Sequence, residues 1–245
     1  YDQTSDYAPT TLASNLTSAD RTLTLYAKWT PNTYTVSYNA NGGTGAPANQ
    51  TKYHGVNLQL SSAQPTRTGY TFVNWNTNTS GYGSTYIPGE TYAGNANLTL
   101  YAQWSQITYT VSYNANGGSG APGSQTKAHG INLTLSSVKP TRTGYTFDGW
   151  NTSAYGYGTS YASGGTYTGN ANLTLYAQWT PITYTVSYNA NGGSGAPASQ
   201  TKTHGINLTL SSTKPSRTGY TFDGWNTSSL GYGTSYASGG TYTGN

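Results

Sequence analysis

Three histidines, His54, His129 and His204, recur in the setting Lys-x-His-Gly and are the side chains best suited to hold a metal or move a proton. Either role needs a second imidazole, thiolate or carboxylate close by. Each copy has at most one such group near it in sequence, and the chain contains no cysteine. The motif therefore reads as a turn or strand-edge histidine whose ring bonds a backbone carbonyl. Asp148 and Asp223 stand in Phe-Asp-Gly-Trp, where a carboxylate caps a turn. The matching position in the first copy is Asn74, which cannot act as a base, and Glu90 has no counterpart elsewhere. No pair of carboxylates is thus repeated for acid–base work. Arg67, Arg142 and Arg217 follow Pro-Thr or Pro-Ser. They suit a clamp for a carboxylate or sugar; the expectation is the plainer role of stacking on a Tyr or Trp ring or bonding to loop carbonyls. Asn41-Gly42-Gly43-Thr44-Gly45 lacks the lysine of a phosphate loop and reads as a hairpin turn. No catalytic residue, cofactor site or metal site is assigned.

The open case is a tyrosine-rich loop. Tyr82 and Tyr86, Tyr157 and Tyr161, and Tyr232 and Tyr236 recur as Gly-Tyr-Gly with a second tyrosine downstream. Exposed tyrosine among glycine and serine suits stacking on sugars or adhesive contact. It suits packing between modules or between chains equally well, and both readings stand.

These residues recur because the chain repeats itself with a step of 75 residues, read from Trp29, Trp104 and Trp179. Between 109–170 and 184–245 only six positions differ. A long fixed period means like modules that bury their own cores or stack on neighbours. Only 7% of residues are charged and 33% hydrophobic, so there is no charged tail, and no apolar run approaches the roughly 20 residues that span a bilayer. Aromatic content of 14%, mostly tyrosine, argues for an ordered sheet with few aliphatic residues. The ten Lys and Arg are scattered, which argues against nucleic acid as a partner. With no methionine in the sequence, the expectation is a processed product or a window on a longer chain.

The elements that must position these groups are strands. Tyr34, Val36 and Tyr38 alternate with polar residues, and so does Asn57–Leu60. Tyr70-Thr71-Phe72, ending near Trp75, gives a third strand, and a short one is expected around Tyr86. Leu98–Trp104 closes the module with Leu98, Leu100, Ala102 and Trp104 on one face. The weak place for a short helix is Leu60–Gln64. The expected core is Val36, Tyr38, Leu58, Leu60, Tyr70, Phe72, Trp75, Leu98, Leu100 and Trp104. The modules are expected at 34–107, 108–182 and 183–245, after a partial repeat at 1–33.

Tyr109–Gly118, then Pro140-Thr141-Arg142-Thr143-Gly144-Tyr145-Thr146-Phe147-Asp148-Gly149-Trp150, then Leu175-Tyr176-Ala177-Gln178-Trp179 follow one another in fixed order. In these motifs the sequence resembles the Listeria–Bacteroides repeat, also called the internalin B-repeat, over nearly everything from Leu23. The resemblance implies a mainly β fold of small β-grasp-like modules with little or no helix, in tandem on a secreted or surface-attached bacterial protein. Tyr38, Tyr113 and Tyr188 replace the family's common Phe. The reading is an extracellular spacer, stalk or filament; the alternative is a multivalent adhesin binding cell-surface or extracellular glycans through the Tyr loops. The partners expected are other copies of the chain, head to tail, or further repeats of the same chain. The third module stops at Asn245 without a closing strand, while Leu23–Trp29 is such a strand with no module before it. Leu23, Leu25, Tyr26 and Trp29 are the candidate donor residues. They are expected to pack against a module like Tyr184–Trp225, whether donated by another copy or met within a longer array.

Overall fold

The computed structural model describes residues 24–245. No helix forms among them; every regular element is a strand. Repeat 1 contains β1 (Thr33–Asn39), β2 (Gln50–Tyr53), β3 (Leu58–Gln59), β4 (Tyr70–Asn76), β5 (Thr85–Tyr86), β6 (Thr91–Tyr92) and β7 (Leu98–Gln106). Repeat 2 contains β8 (Thr108–Asn114), β9 (Gln125–Ala128), β10 (Leu133–Thr134), β11 (Tyr145–Asn151), β12 (Ser160–Tyr161), β13 (Thr166–Tyr167) and β14 (Leu173–Pro181). Repeat 3 contains β15 (Thr183–Val186), β16 (Gln200–Thr203), β17 (Leu208–Thr209), β18 (Trp225–Asn226), β19 (Ser235–Tyr236) and β20 (Thr241–Tyr242). The described residues divide into two compact units. One holds those up to Thr66 together with Phe72–Gln103; the other holds Arg67–Thr71 with Trp104–Asn245.

In the first unit the strand order is β2-β1-β7-β4-β5, with β3 and β6 paired beside it. The order in repeat 2 is the same, β9-β8-β14-β11-β12. The last strand of the repeat is therefore the middle strand of the sheet. β14 runs parallel to β8 and antiparallel to β11. Alternation puts Leu173, Leu175 and Ala177 on the inner face, where they meet Val111, Leu135, Trp150 and Tyr167. The register slips between Phe147 and Gly149, a bulge made possible by Gly149 at φ 143°. Asn41 and Gly42 both adopt positive φ, and the Gly43 N–H returns to the Ala40 carbonyl, as a tight mirror-image turn requires.

Repeat 3 shows what the middle strand does. Among the described residues it has no counterpart of β14. The strand on one side of that gap, β15, keeps four residues where β8 has seven. The strand on the other side, β18, keeps two where β11 has seven. Its sheet falls into separate two-stranded pairs, β15-β16, β17-β20 and β18-β19. Trp75 and Trp150 are buried, each edge-on to Phe72 or Phe147 at 5.2 Å, whereas Trp225 is only half-buried. Of the expected core, Leu58, Tyr70, Phe72 and Trp104 lie half-buried and the others are buried.

Candidate functional site

The Lys-x-His-Gly motif divides between interior and surface. Lys52, Lys127 and Lys202 are each 1% exposed. The Lys127 ammonium donates to the Ala128 carbonyl at 2.8 Å and to Asn170 Oδ1 at 3.3 Å, and the other two repeat this arrangement. No local pattern signals this burial, because lysine is rarely found inside. A lysine held by oxygens of its own repeat is a structural strut.

The histidines lie two residues on. Each ring Nδ1 faces a tyrosine hydroxyl of its own repeat: Tyr34 at 3.0 Å, Tyr109 at 2.9 Å and Tyr184 at 3.4 Å. The ring partner is thus a hydroxyl rather than the backbone carbonyl expected from sequence. No group of three or more His, Cys, Asp or Glu able to hold a metal ion occurs among the described residues. Asp148 is not a turn cap either. It sits beside the bulge on β11 and accepts the Thr180 hydroxyl across the sheet at 2.7 Å. Arg67, Arg142 and Arg217 stack on Tyr70, Tyr145 and Tyr220, with guanidinium carbon to ring centroid distances of 4.0, 3.9 and 4.1 Å. Of the two roles expected, stacking holds in every repeat and occupies one ring face of each tyrosine, and Arg217 also donates to the Asn191 carbonyl at 3.3 Å.

The tyrosine pairs separate. Tyr86, Tyr161 and Tyr236 turn inward and pack edge-on against Tyr92, Tyr167 and Tyr242 at 6.2, 6.1 and 5.6 Å. Tyr82, Tyr157 and Tyr232 point outward and are 92, 92 and 90% exposed. The loops that carry them are held from below by one asparagine each, Asn76 and Asn151, which are buried, and Asn226, which is half-buried. Asn151 Nδ2 donates to the Gly156 and Gly158 carbonyls and to Ser160 Oγ. Its Oδ1 accepts the Ser153 and Gly158 N–H groups at 2.8 and 2.9 Å. Gly156 takes φ 82°, and Gly158 leaves no room for a Cβ beside Thr152 Oγ1 and Asn151. The glycines of Gly-Tyr-Gly are thus explained by the loop, and the tyrosine between them is presented on a fixed platform.

Of the donor residues, Leu23 lies outside the described residues. Leu25, Tyr26 and Trp29 belong to no strand and are exposed. In repeat 3 the face that β14 would cover is a groove of about 830 Å³, lined by Val186, Tyr188, Leu210, Phe222, Trp225 and Tyr236 among others. Polar groups mark the same gap. Asn116 Nδ2 donates to Ala154 O and to Ala177 O of β14, whereas Asn191 Nδ2 donates to Ser229 O.

A repeated all-β module with a central last strand, no clustered ligating groups and the same surface features in each copy defines a tandem repeat protein. The Listeria-Bacteroides repeat domain matches residues 34–103, 109–178 and 184–245, and the chain belongs to that family. It is 33% identical over 232 residues, 90% of its length, to a protein of Evansella cellulosilytica provisionally named a membrane protein, of which it covers 32%. A second protein of that organism, provisionally named a Gly-rich membrane protein, is 32% identical over 212 residues, 83% of the chain and 22% of the relative. Internalin H of Listeria monocytogenes is 34% identical over 146 residues, 53% of the chain and 24% of that protein. The chain therefore spans a third or less of these relatives. No described helix is long and apolar enough to cross a membrane.

Proposed function

We propose that the chain is a non-catalytic structural segment of an extracellular or cell-surface protein, a spacer or stalk of tandem β modules that assembles through its closing strands. The observation that carries this reading is the groove of repeat 3. It exposes the row that β14 fills in repeat 2, and the chain holds a further sequence of that type, Leu23-Thr24-Leu25-Tyr26-Ala27-Lys28-Trp29. A sheet lacking its middle strand leaves two backbone edges and an apolar face unpaired, a strong template for a strand of matching pattern. In a longer array the chain's own next strand takes the place. Between separate copies the contact is head to tail, does not close on itself, and builds a filament. Sedimentation of the purified chain over a wide concentration range tests the reading. Growing assemblies are expected, with Trp29 protected from quenchers as they form. A monomer at all concentrations, with Trp29 still accessible, rules out filament growth by donation.

A second reading draws on the exposed tyrosines. Three aromatic tips on braced loops, in a chain with little charge, suit the apolar faces of neutral sugars, and repetition supplies avidity. Binding to arrayed glycans that disappears in Tyr157→Ala would support an adhesin. Equal binding by parent and variant would remove it.

A further inference from the structure

Besides the tyrosine hydroxyl of its own repeat, each histidine of the second compact unit has a neighbour in the preceding repeat. His204 of repeat 3 lies against the turn that opens β11 of repeat 2. Its ring is edge-on to Tyr145, with centroids 5.9 Å apart. A Cβ on Gly144 would lie 2.0 Å from atoms of the His204 ring, far inside contact distance. The backbone joins the same two places through one residue: Ile182 donates its N–H to the Gly144 carbonyl, and its own carbonyl accepts the His204 N–H, both at 2.9 Å. Arg142 covers the Tyr145 ring face, so the phenol ring meets a guanidinium over its face and an imidazole at 72° to its plane. The joint recurs with Gly69, Ile107 and His129. The two backbone bonds are again 2.9 Å, and a Cβ on Gly69 would meet His129 at 2.7 Å.

Repeat 3 carries the same turn, and among the described residues no histidine is seated on it. A Cβ on Gly219 would meet nothing within 4 Å. Tyr220 is 68% exposed, and Arg217 covers one face of its ring at 4.1 Å, as in the filled joints. Tyr70 and Tyr145 are half-buried. In repeat 1 the matching His54 is exposed, while His129 and His204 are half-buried.

We propose that Arg217, Gly219 and Tyr220 form a docking socket for the His-Gly turn of a further repeat of this class, and that a second copy of this chain can fill it with His54. The occupant follows from continuity with the joint already built twice. It must bring an imidazole to the edge of Tyr220, and it must approach closely enough to need the missing Cβ of Gly219. The contact is separate from the strand groove. It couples each repeat to the next by a specific surface and not by the peptide link alone.

Sedimentation of the full chain tests it, with His54→Ala, Tyr220→Ala and the double variant beside the parent. The substituted side chains are exposed, so folding is preserved, and circular dichroism checks this. Association is expected in the parent, weakened roughly fivefold by either single change, the scale of one aromatic contact. The double variant should be no weaker than the singles, since one contact is removed once. Association unaffected by either change, or absent in the parent, overturns the socket. The groove reading fails separately: association lost in Leu25→Asp but untouched by His54→Ala means strand donation without the socket, and the reverse pattern means the socket without donation. His204→Ala checks the filled joint. Repeats 2 and 3 should then unfold at separate temperatures, and a profile matching the parent's overturns the coupling.

Discussion

Trp150 concentrates the packing of its repeat. It is enclosed by Tyr113, Phe147 and the inner face of β14, yet its indole N–H meets no acceptor. The ring matters by its volume. Trp150→Ala should therefore destabilise repeat 2 by about 3–5 kcal/mol, and Trp150→Phe by much less, in thermal unfolding. An unchanged melting profile for the alanine variant would make Trp150 a surface residue in solution. Asn151 acts by the opposite principle, since all its contacts are polar. Asn151→Ala strands several loop N–H and carbonyl groups and should cost about 3 kcal/mol. Protease cleavage near Tyr157 should rise with it; a loop as resistant as the parent's would show that the bracing lies elsewhere. Tyr38 and Tyr113 link loop and sheet, each donating to a glutamine and accepting a serine N–H. Burial pushes both hydroxyls above the ordinary value of 10.0, with the serine N–H opposing in part. A raised folded-state value means the unfolded chain loses its proton first. Their contribution is complete below about pH 10 and lost as pH rises beyond it. Replacing both by Phe should flatten the alkaline fall in stability, and an equally steep fall would assign it to other groups.

At the scale of elements, the middle strand decides how long its neighbours are. A strand with a partner on one side only has half its backbone groups exposed to water, and β15 and β18 end early for that reason. Amide exchange should follow the same division. The amides of Tyr184–Val186 and of Phe222–Trp225 should exchange much faster than those of Tyr109–Val111 and Phe147–Trp150, despite near-identical sequence. Equal protection would mean that repeat 3 completes its sheet by another route. The bracing asparagines belong to loops and are the same in all three repeats, so the tyrosine platforms should be equally ordered whether or not the sheet is complete.

For the whole molecule, a peptide with the sequence of 173–179, Leu-Thr-Leu-Tyr-Ala-Gln-Trp, should bind repeat 3 and stabilise it. At about 100 times its dissociation constant it would add about 2.7 kcal/mol to that repeat alone. No rise in melting temperature and no change in tryptophan emission would show that the groove is not a strand site. If the peptide binds, it should also suppress filament growth, because it competes with Leu23–Trp29 for the same edges.

The residues by themselves determined the period, the β class and most strand positions. Tyr34–Asn39, Tyr70–Trp75 and Leu98–Trp104 became β1, β4 and β7, because alternation of apolar and polar residues is a local signal. They suggested a stacking or carbonyl-bonding role for the arginines, and the structure chose the tyrosine three residues on in each repeat. β2 escaped notice: Gln-Thr-Lys-Tyr carries no apolar alternation, and its inward residue is Lys52. The role of the histidines escaped notice too. Their second partner is a glycine turn in the preceding repeat, 60 residues back from His204 to Gly144. Only the tertiary structure placed the last strand of each repeat at the middle of its sheet. That position comes from the parallel pairing of β1 with β7 and of β8 with β14, between residues some 60 apart, and no local pattern encodes which edge a strand will choose.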